Sequence, residues 1–442
     1  MDDSAQRAPP SSSGAAKRQL GLVALTALVV GNMVGSGVFL LPASLAPYGG
    51  TSILAWLVSA AGTMCFGLVI ARLARRLPTT GGPYAYVREA FGDFAGFLVG
   101  WGYWISCWAG VAAVAVAMTG YLGTLAPLCA RYSTTTTLLA IALLTVVNAR
   151  GVREAGVVQI VTTVLKLAPL LAIAAFGFSR FEPAHFTPFN PTGDSLGGAV
   201  LSGLALTLWA YMGFESASVA AGEARDPRRN VPRATLIGIA IATVLYIAST
   251  LAVMGLLPPD ELAASQAPFA DAARVLWGAW AGKAIAVGAV VSCFGALNGW
   301  ILVAGRLPLA IARDGLFPRF FARLSPRETP VVALYVSSAL SCVLVVANYT
   351  ESLVSMFKGI TLLATLSALV PYVFVAAAEM LFTLRERAQG ERFGLALAIA
   401  LLAFAYGLLT IYGAGDEYVA RGFLLLLGGM PFYVLARTRR GS

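Results

Sequence analysis

The sequence predicts an all-helical (all-α) integral membrane protein with twelve transmembrane helices, and three observations predict it. The chain of 442 residues is 58% hydrophobic and only 12% charged, with a mean hydropathy of +0.78. Soluble domains carry about 25% charged residues, so these charges are too few to cover a globular surface. The apolar residues also come in long blocks. Leu395 to Gly413 and Ile285 to Gly305 contain no charge at all, and each matches the ~20 residues that cross a bilayer core as a helix. The third observation is that basic residues alternate from one interblock loop to the next.

Taken in order, residues 1–19 are polar, small and Pro-containing. They read as a short disordered tail without the apolar core of a cleavable signal peptide. Twelve apolar segments follow, over 20–46, 51–74, 93–126, 134–149, 155–178, 196–222, 232–257, 273–312, 330–348, 352–382, 394–413 and 419–436. Those at 93–126, 273–312 and 352–382 exceed one bilayer width and are expected to tilt, break or project. The chain divides into helices 1–5 (20–178), helices 6–10 (196–382), two further helices (394–436) and a tail at 437–442.

Lys17, Arg18, Arg72, Arg75, Arg76, Arg88, Arg150, Arg153, Arg225, Arg228, Arg229 and Arg233 fall on one side. So do Arg313, Arg319, Arg323, Arg327, Arg385, Arg387, Arg392, Arg437, Arg439 and Arg440. The opposite loops hold little beyond Arg131, Arg180, Arg274, Lys283, Lys358 and Arg421. This is the positive-inside bias, and it puts both termini in the cytoplasm. It also accounts for the net charge of +10 without nucleic acid. Cys65, Cys107, Cys129, Cys293 and Cys342 form no CxxC pair, and His185 is the only histidine. No metal site, cofactor or histidine-based catalytic set is expected.

The first segment contains "LVVGNMVGSGVFLLP", residues 28–42, with Gly31, Gly35 and Gly37 crowded at mid-membrane beside Asn32 and Ser36. A glycine costs about 1 kcal/mol relative to alanine inside a helix. Three of them favour an unwound stretch, tolerated only against protein or a cavity; close packing through small residues is the alternative. The sixth segment repeats the pattern in "WAYMGFESA", where Gly213 precedes Glu215. Segments one and six lie five apart, the spacing of a five-plus-five inverted repeat whose halves each begin with a discontinuous helix.

Glu215 is an intramembrane acid. Its ionised form costs roughly 2.5–3.5 kcal/mol at a helix centre on insertion scales, so it marks a functional site unless it is merely hydrogen-bonded between helices. Lys166, central in the fifth segment, is the other mid-membrane charge; an inward-facing amine is favoured over snorkelling. Among the aromatics, Trp104 and Trp108 read as packing. Trp209, six residues before Glu215, is equally compatible with packing and with holding a cation, which an aromatic face attracts by about 0.5–2 kcal/mol.

These stretches resemble the amino acid–polyamine–organocation (APC) superfamily, in particular its basic amino acid/polyamine antiporters of the arginine/agmatine type. The likeness is carried by "GNMVGSGVFLLPASLAPYGG" (31–50), "PTTGGPYAYVREAFG" (78–92), "LWAYMGFESASVAAGEARDPRRNVPRAT" (208–235), "GWILVAGRLPLAIARDGLFP" (299–318) and "LVPYVF" (369–374), and runs from about residue 18 onward. It implies a LeuT-like fold. It also implies that the substrate's α-amino and carboxyl groups lie against Asn32, Met33, Ser36 and Gly37, with Ser106 and Cys107 contributing from the third helix. Trp209, Met212 and Trp300 would contact the side chain, Tyr103 would gate, and Glu215 would sense protons. The chain departs from the exchanger pattern at Val111, Val114 and Leu362, which make the distal pocket more apolar, and at Lys166, where proton-coupled permeases of the superfamily often carry a lysine.

The expected function is therefore an antiporter in a bacterial cytoplasmic membrane, exchanging a cationic amino acid for a related one or for its decarboxylated amine. The alternatives are a proton-coupled neutral amino acid permease using Lys166 and, further off, a channel or nutrient sensor; an enzyme is not expected. The expected partners are a small amino acid or amine and the lipid bilayer, with a homodimer as the assembly considered.

Overall fold

The computed structural model describes residues 20–35, 37–77, 82–150, 157–221, 224–386 and 393–438, with backbone alone at 157–165. The expected tail at 1–19 and Ser36 lie outside the described residues. Among those described, the chain is helical and contains no strand; a single bridge pairs Leu20 with Ala224.

The first apolar segment folds as α1 (Leu22–Met33) and α2 (Gly37–Leu45), bent by 42°. Then come α3 (Thr51–Arg76), the short α4 (Gly82–Phe91), α5 (Asp93–Leu125), α6 (Pro127–Arg131), α7 (Ser133–Ala149) and α8 (Val157–Phe176). The sixth segment splits into α9 (Leu196–Tyr211) and α10 (Ser216–Val219). Next are α11 (Pro227–Leu256), α12 (Pro259–Ala264), α13 (Pro268–Trp277), α14 (Ala279–Arg313), α15 (Val331–Ala347), α16 (Leu353–Arg385), α17 (Phe393–Gly413), α18 (Asp416–Leu427) and α19 (Met430–Thr438).

Seven helical runs are long and apolar enough to cross a membrane: α3, α5, α11, α14, α16, α17 and the α18–α19 run. The bent α1–α2 pair makes an eighth, while α7, α9 and α15 are apolar but shorter. The chain is a multi-pass membrane protein. The segment at 273–312, expected to tilt, break or project, breaks: Gly278, at φ +88°, ends α13 and starts α14. That left-handed conformation suits glycine alone among common residues. By contrast α5 and α16 run unbroken for 33 residues each, about 50 Å at 1.5 Å per residue, so they project beyond a 30 Å core.

Burial sorts the helices. In α5, 94% of the apolar window is enclosed by protein, against 11% for the α18–α19 run. The sequence of α5 explains its central place. Ala109, Gly110, Ala112, Ala113, Ala115 and Ala117 give it a small-residue surface that neighbouring helices can approach closely. The last two helices instead present Phe423, Leu424, Val434 and Leu435 outward, as a lipid-facing rim does.

Candidate functional site

At the first break the amide of Gly35 bonds the carbonyl of Met33 at 2.9 Å. In a continuous helix it would bond the carbonyl of Gly31, four residues back. That carbonyl is instead met by Lys166, whose Nζ donates to it at 3.3 Å. Lys166 is 2% exposed, so its amine does not reach an aqueous interface. The lysine acts as a cap on a helix end made inside the protein.

At the second break α9 stops at Tyr211, Met212 turns extended, and Gly213 takes φ +103°. A side chain at Gly213 would be strained by that angle and would also press on Asn32 at 3.1 Å. The two breaks therefore touch. Asn32 Nδ2 donates to Ser216 Oγ at 2.8 Å, and the Ser216 hydroxyl donates to the Gly213 carbonyl.

Glu215 lies in this turn and is fully buried. Tyr103 on α5 donates its hydroxyl to Glu215 Oε1 at 2.5 Å, and the Gly213 amide donates to Oε2 at 3.2 Å. Tyr372 on α16 faces the same carboxylate. Among the described residues Glu215 has no cation within ion-pair distance. Three elements thus converge on an acid that nothing of opposite charge compensates.

Trp209 is 5% exposed, and its indole is seated between two glycines. A side chain on Gly37 of α2 would collide with the indole Nε1 at 2.8 Å, and one on Gly110 of α5 would meet its far edge at 3.1 Å. Both glycines are needed for this ring to lie across the gap between helices. Among the described residues, Trp209 Nε1 and Ser106 Oγ are buried without a hydrogen-bond partner, as is Thr361 Oγ1 on α16. Met33, Cys107 and Met212 are buried as well.

Trp300 is half-buried on α14, without an aromatic neighbour among the described residues. Ser36 lies outside the described residues.

The sequence reading missed two groups. Tyr372 was passed over because "LVPYVF" places it in an apolar run with no charge beside it. Glu379 was also missed. It is fully buried, and it accepts from Arg72 at 2.5 Å and from Arg76 at 2.6 Å across to α3. Arg76 pairs further with Glu386 at 2.9 Å, and Thr383 donates to Glu379. The available signal was a lone acid facing a run of arginines in another segment, which sequence spacing alone cannot pair. Nearby, Asp314 accepts from Tyr84 at 2.8 Å and from Arg88 at 2.9 Å, while Arg88 also bonds Asp93. Burial, reinforced by Asp314, pushes the Tyr84 hydroxyl well above its ordinary range. These pairs gather the C-terminal ends of α3, α14 and α16 on one side, the side on which the sequence concentrates its arginines.

The site is thus two touching helix breaks beside a buried acid in a multi-pass helical membrane protein. Comparison with known proteins gives the family: the amino acid permease family model matches residues 20–420, and the chain belongs to that family. It is 31% identical to the cadaverine/lysine antiporter of Escherichia coli, over 96% of each chain. It is 31% identical to the putrescine transporter PotE of Haemophilus influenzae, over 95% of this chain and 97% of that one. With the arginine/ornithine antiporter of Pseudomonas aeruginosa it shares 32% identity, over 96% and 92%.

Proposed function

We propose that this chain is a secondary antiporter that exchanges a cationic amino acid for a related amino acid or for its decarboxylated amine. It would do so by alternating access across a bacterial cytoplasmic membrane, with both termini inside. The observation that carries the reading is the contact of the two breaks through Asn32 and Ser216, with Glu215 buried beside them under the hydroxyl of Tyr103. The relatives named for cadaverine/lysine, putrescine and arginine/ornithine support this substrate class. The proposed architecture is twelve spans. Residues 20–178 and 196–382 form the two inverted halves, and 394–436 supply two added helices.

In this reading Asn32, Met33, Ser36 and Gly37 receive the substrate's α-amino and carboxyl groups at the exposed backbone of the first break. Ser106 and Cys107 face them from α5. Ser106 Oγ and Trp209 Nε1 have no hydrogen-bond partner among the described residues. A buried polar atom left unpaired costs about 1–3 kcal/mol, which a polar ligand relieves. Trp209, with Met212 and Trp300, offers an aromatic and thioether surface to the cationic end. Tyr103 gates and Glu215 exchanges a proton as the site changes its exposure. Desolvation favours the neutral acid while the donated hydrogen bonds favour the anion, and movement of Tyr103 shifts that balance.

Purified protein in liposomes loaded with arginine, ornithine, lysine, agmatine or putrescine tests this. Internal substrate should accelerate uptake of labelled external substrate. Equal uptake into loaded and empty vesicles, for every pair, rules exchange out.

A second reading rests on Lys166. A fixed amine on the Gly31 carbonyl, with Val111 and Leu362 making the distal pocket apolar, suits proton-coupled uptake of a neutral amino acid. Uptake into empty vesicles that is driven by an imposed pH gradient and abolished in Lys166→Ala would establish it.

A further inference from the structure

Away from the two breaks, a single side chain joins three elements. Tyr121, near the C-terminal end of α5, is fully buried, as are Phe39 of α2 and Phe269 of α13. The Tyr121 hydroxyl donates to the Phe39 carbonyl at 2.8 Å and accepts from the Phe269 amide at 3.3 Å. The Phe39 ring stands edge-on to both others, 5.7 Å from Tyr121 and 5.5 Å from Phe269. Gly120 admits the approach, because a side chain there would strike the Gln266 carbonyl that leads into α13.

The start of α13 has a specific need. The first amides of a helix have no partner within it. Pro268 carries no N–H, and the amides of Ala270 and Asp271 turn back to the Ala267 carbonyl. The buried Phe269 amide remains, and Tyr121 supplies its acceptor. A phenolic hydroxyl donates and accepts at once, so one oxygen serves α2 and α13 together. A phenylalanine would fill the same space and serve neither.

The α2 end of the link leads to the site. Phe39 is two residues beyond Gly37, the glycine against which the Trp209 indole is seated. We infer that Tyr121 is a positioning residue for exchange: it binds α13 to α2, so that α13 opens and closes together with the half-helix bordering Trp209. This role rests on the proposed alternating access and orientation, in which α13 and the C-terminal ends of α2 and α5 face outward. The physical link itself depends on neither.

Hydrogen–deuterium exchange of the full chain in nanodiscs tests the link without any substrate. In Tyr121→Phe the amides of α13 and α2 should exchange together, about ten-fold faster, as the loss of a hydrogen bond to buried groups implies, while α15 keeps its wild-type rate. Tyr246→Phe removes an equally buried hydroxyl that has no hydrogen-bond partner among the described residues, and should match the wild type. No change, faster exchange in only one of the two elements, an equal rise in α15, or the same change in both variants overturns the link. Sidedness tests the role. In proteoliposomes, with whichever of the pairs above the wild type exchanges, Tyr121→Phe should lower the apparent KM for external substrate and raise that for internal substrate several-fold, because it favours outward exposure. Both KM values moving in the same direction, or neither moving, overturns the positioning role. Absence of exchange in the wild type counts against the proposed antiport, and the deuterium readout then still decides the link.

Discussion

Among the described residues two glutamates, Glu215 and Glu379, are wholly buried, and they are held in opposite ways. Glu379 sits between Arg72 and Arg76, so its charge is matched twice over. Glu215 is met by Tyr103 and a backbone amide, with Tyr372 facing it and no cation beside it. Burial of an ion is costly, and fixed opposite charges offset that cost only when they are in place. Glu379 therefore ties α16 to α3 through two ion pairs. Glu215 has no such charge beside it among the described residues, and this is the group to which the proposed proton-linked role is given. Burial alone does not separate a structural acid from a functional one; the charge of its neighbours does.

Substitutions can break that contrast. The largest loss of stability is expected for Glu379→Ala, which leaves two arginines facing each other and should cost about 3–5 kcal/mol. Chemical unfolding in detergent measures it, and a cost no larger than that of Glu215→Gln would erase the distinction drawn here. Tyr103→Phe comes next. It removes one donor to a buried acceptor, so a loss of about 1–3 kcal/mol is expected, together with a displaced pH profile of exchange. The smallest change in stability belongs to Glu215→Gln, at under about 1 kcal/mol, because the amide oxygen still accepts from Tyr103. Its effect lies elsewhere. Exchange rates in proteoliposomes should lose their dependence on pH, since the titrating group is gone. A wild-type pH profile in Glu215→Gln would transfer the proton-linked role to another residue.

The sites most legible in the sequence were those whose reason is local. Gly35 and Gly213 are helix-weakening residues beside polar ones, and both breaks occur at them. Lys166 was legible as a charge too deep to snorkel. Its acceptor was not, because the Gly31 carbonyl lies 135 residues away and is freed only once the first helix is broken. Tyr372 carries no local mark at all. A break in the overlong segment at 273–312 was among the expected outcomes, but its place at Gly278 was hidden by a hydrophobic run that continues through it.

The sequence by itself determined that long apolar stretches enter the membrane, which loops are basic and where the first and sixth segments yield. Each of those depends on how a short segment partitions between water and lipid, a sum over its own residues. Only the tertiary structure decided that Asn32 meets Ser216, that Glu379 is paired while Glu215 is not, and that Trp209 lies between Gly37 and Gly110. Those pairings join residues scores to hundreds of positions apart. They exist only once helices have chosen their neighbours, and in lipid that choice is made by close packing and polar contacts rather than by hydrophobicity.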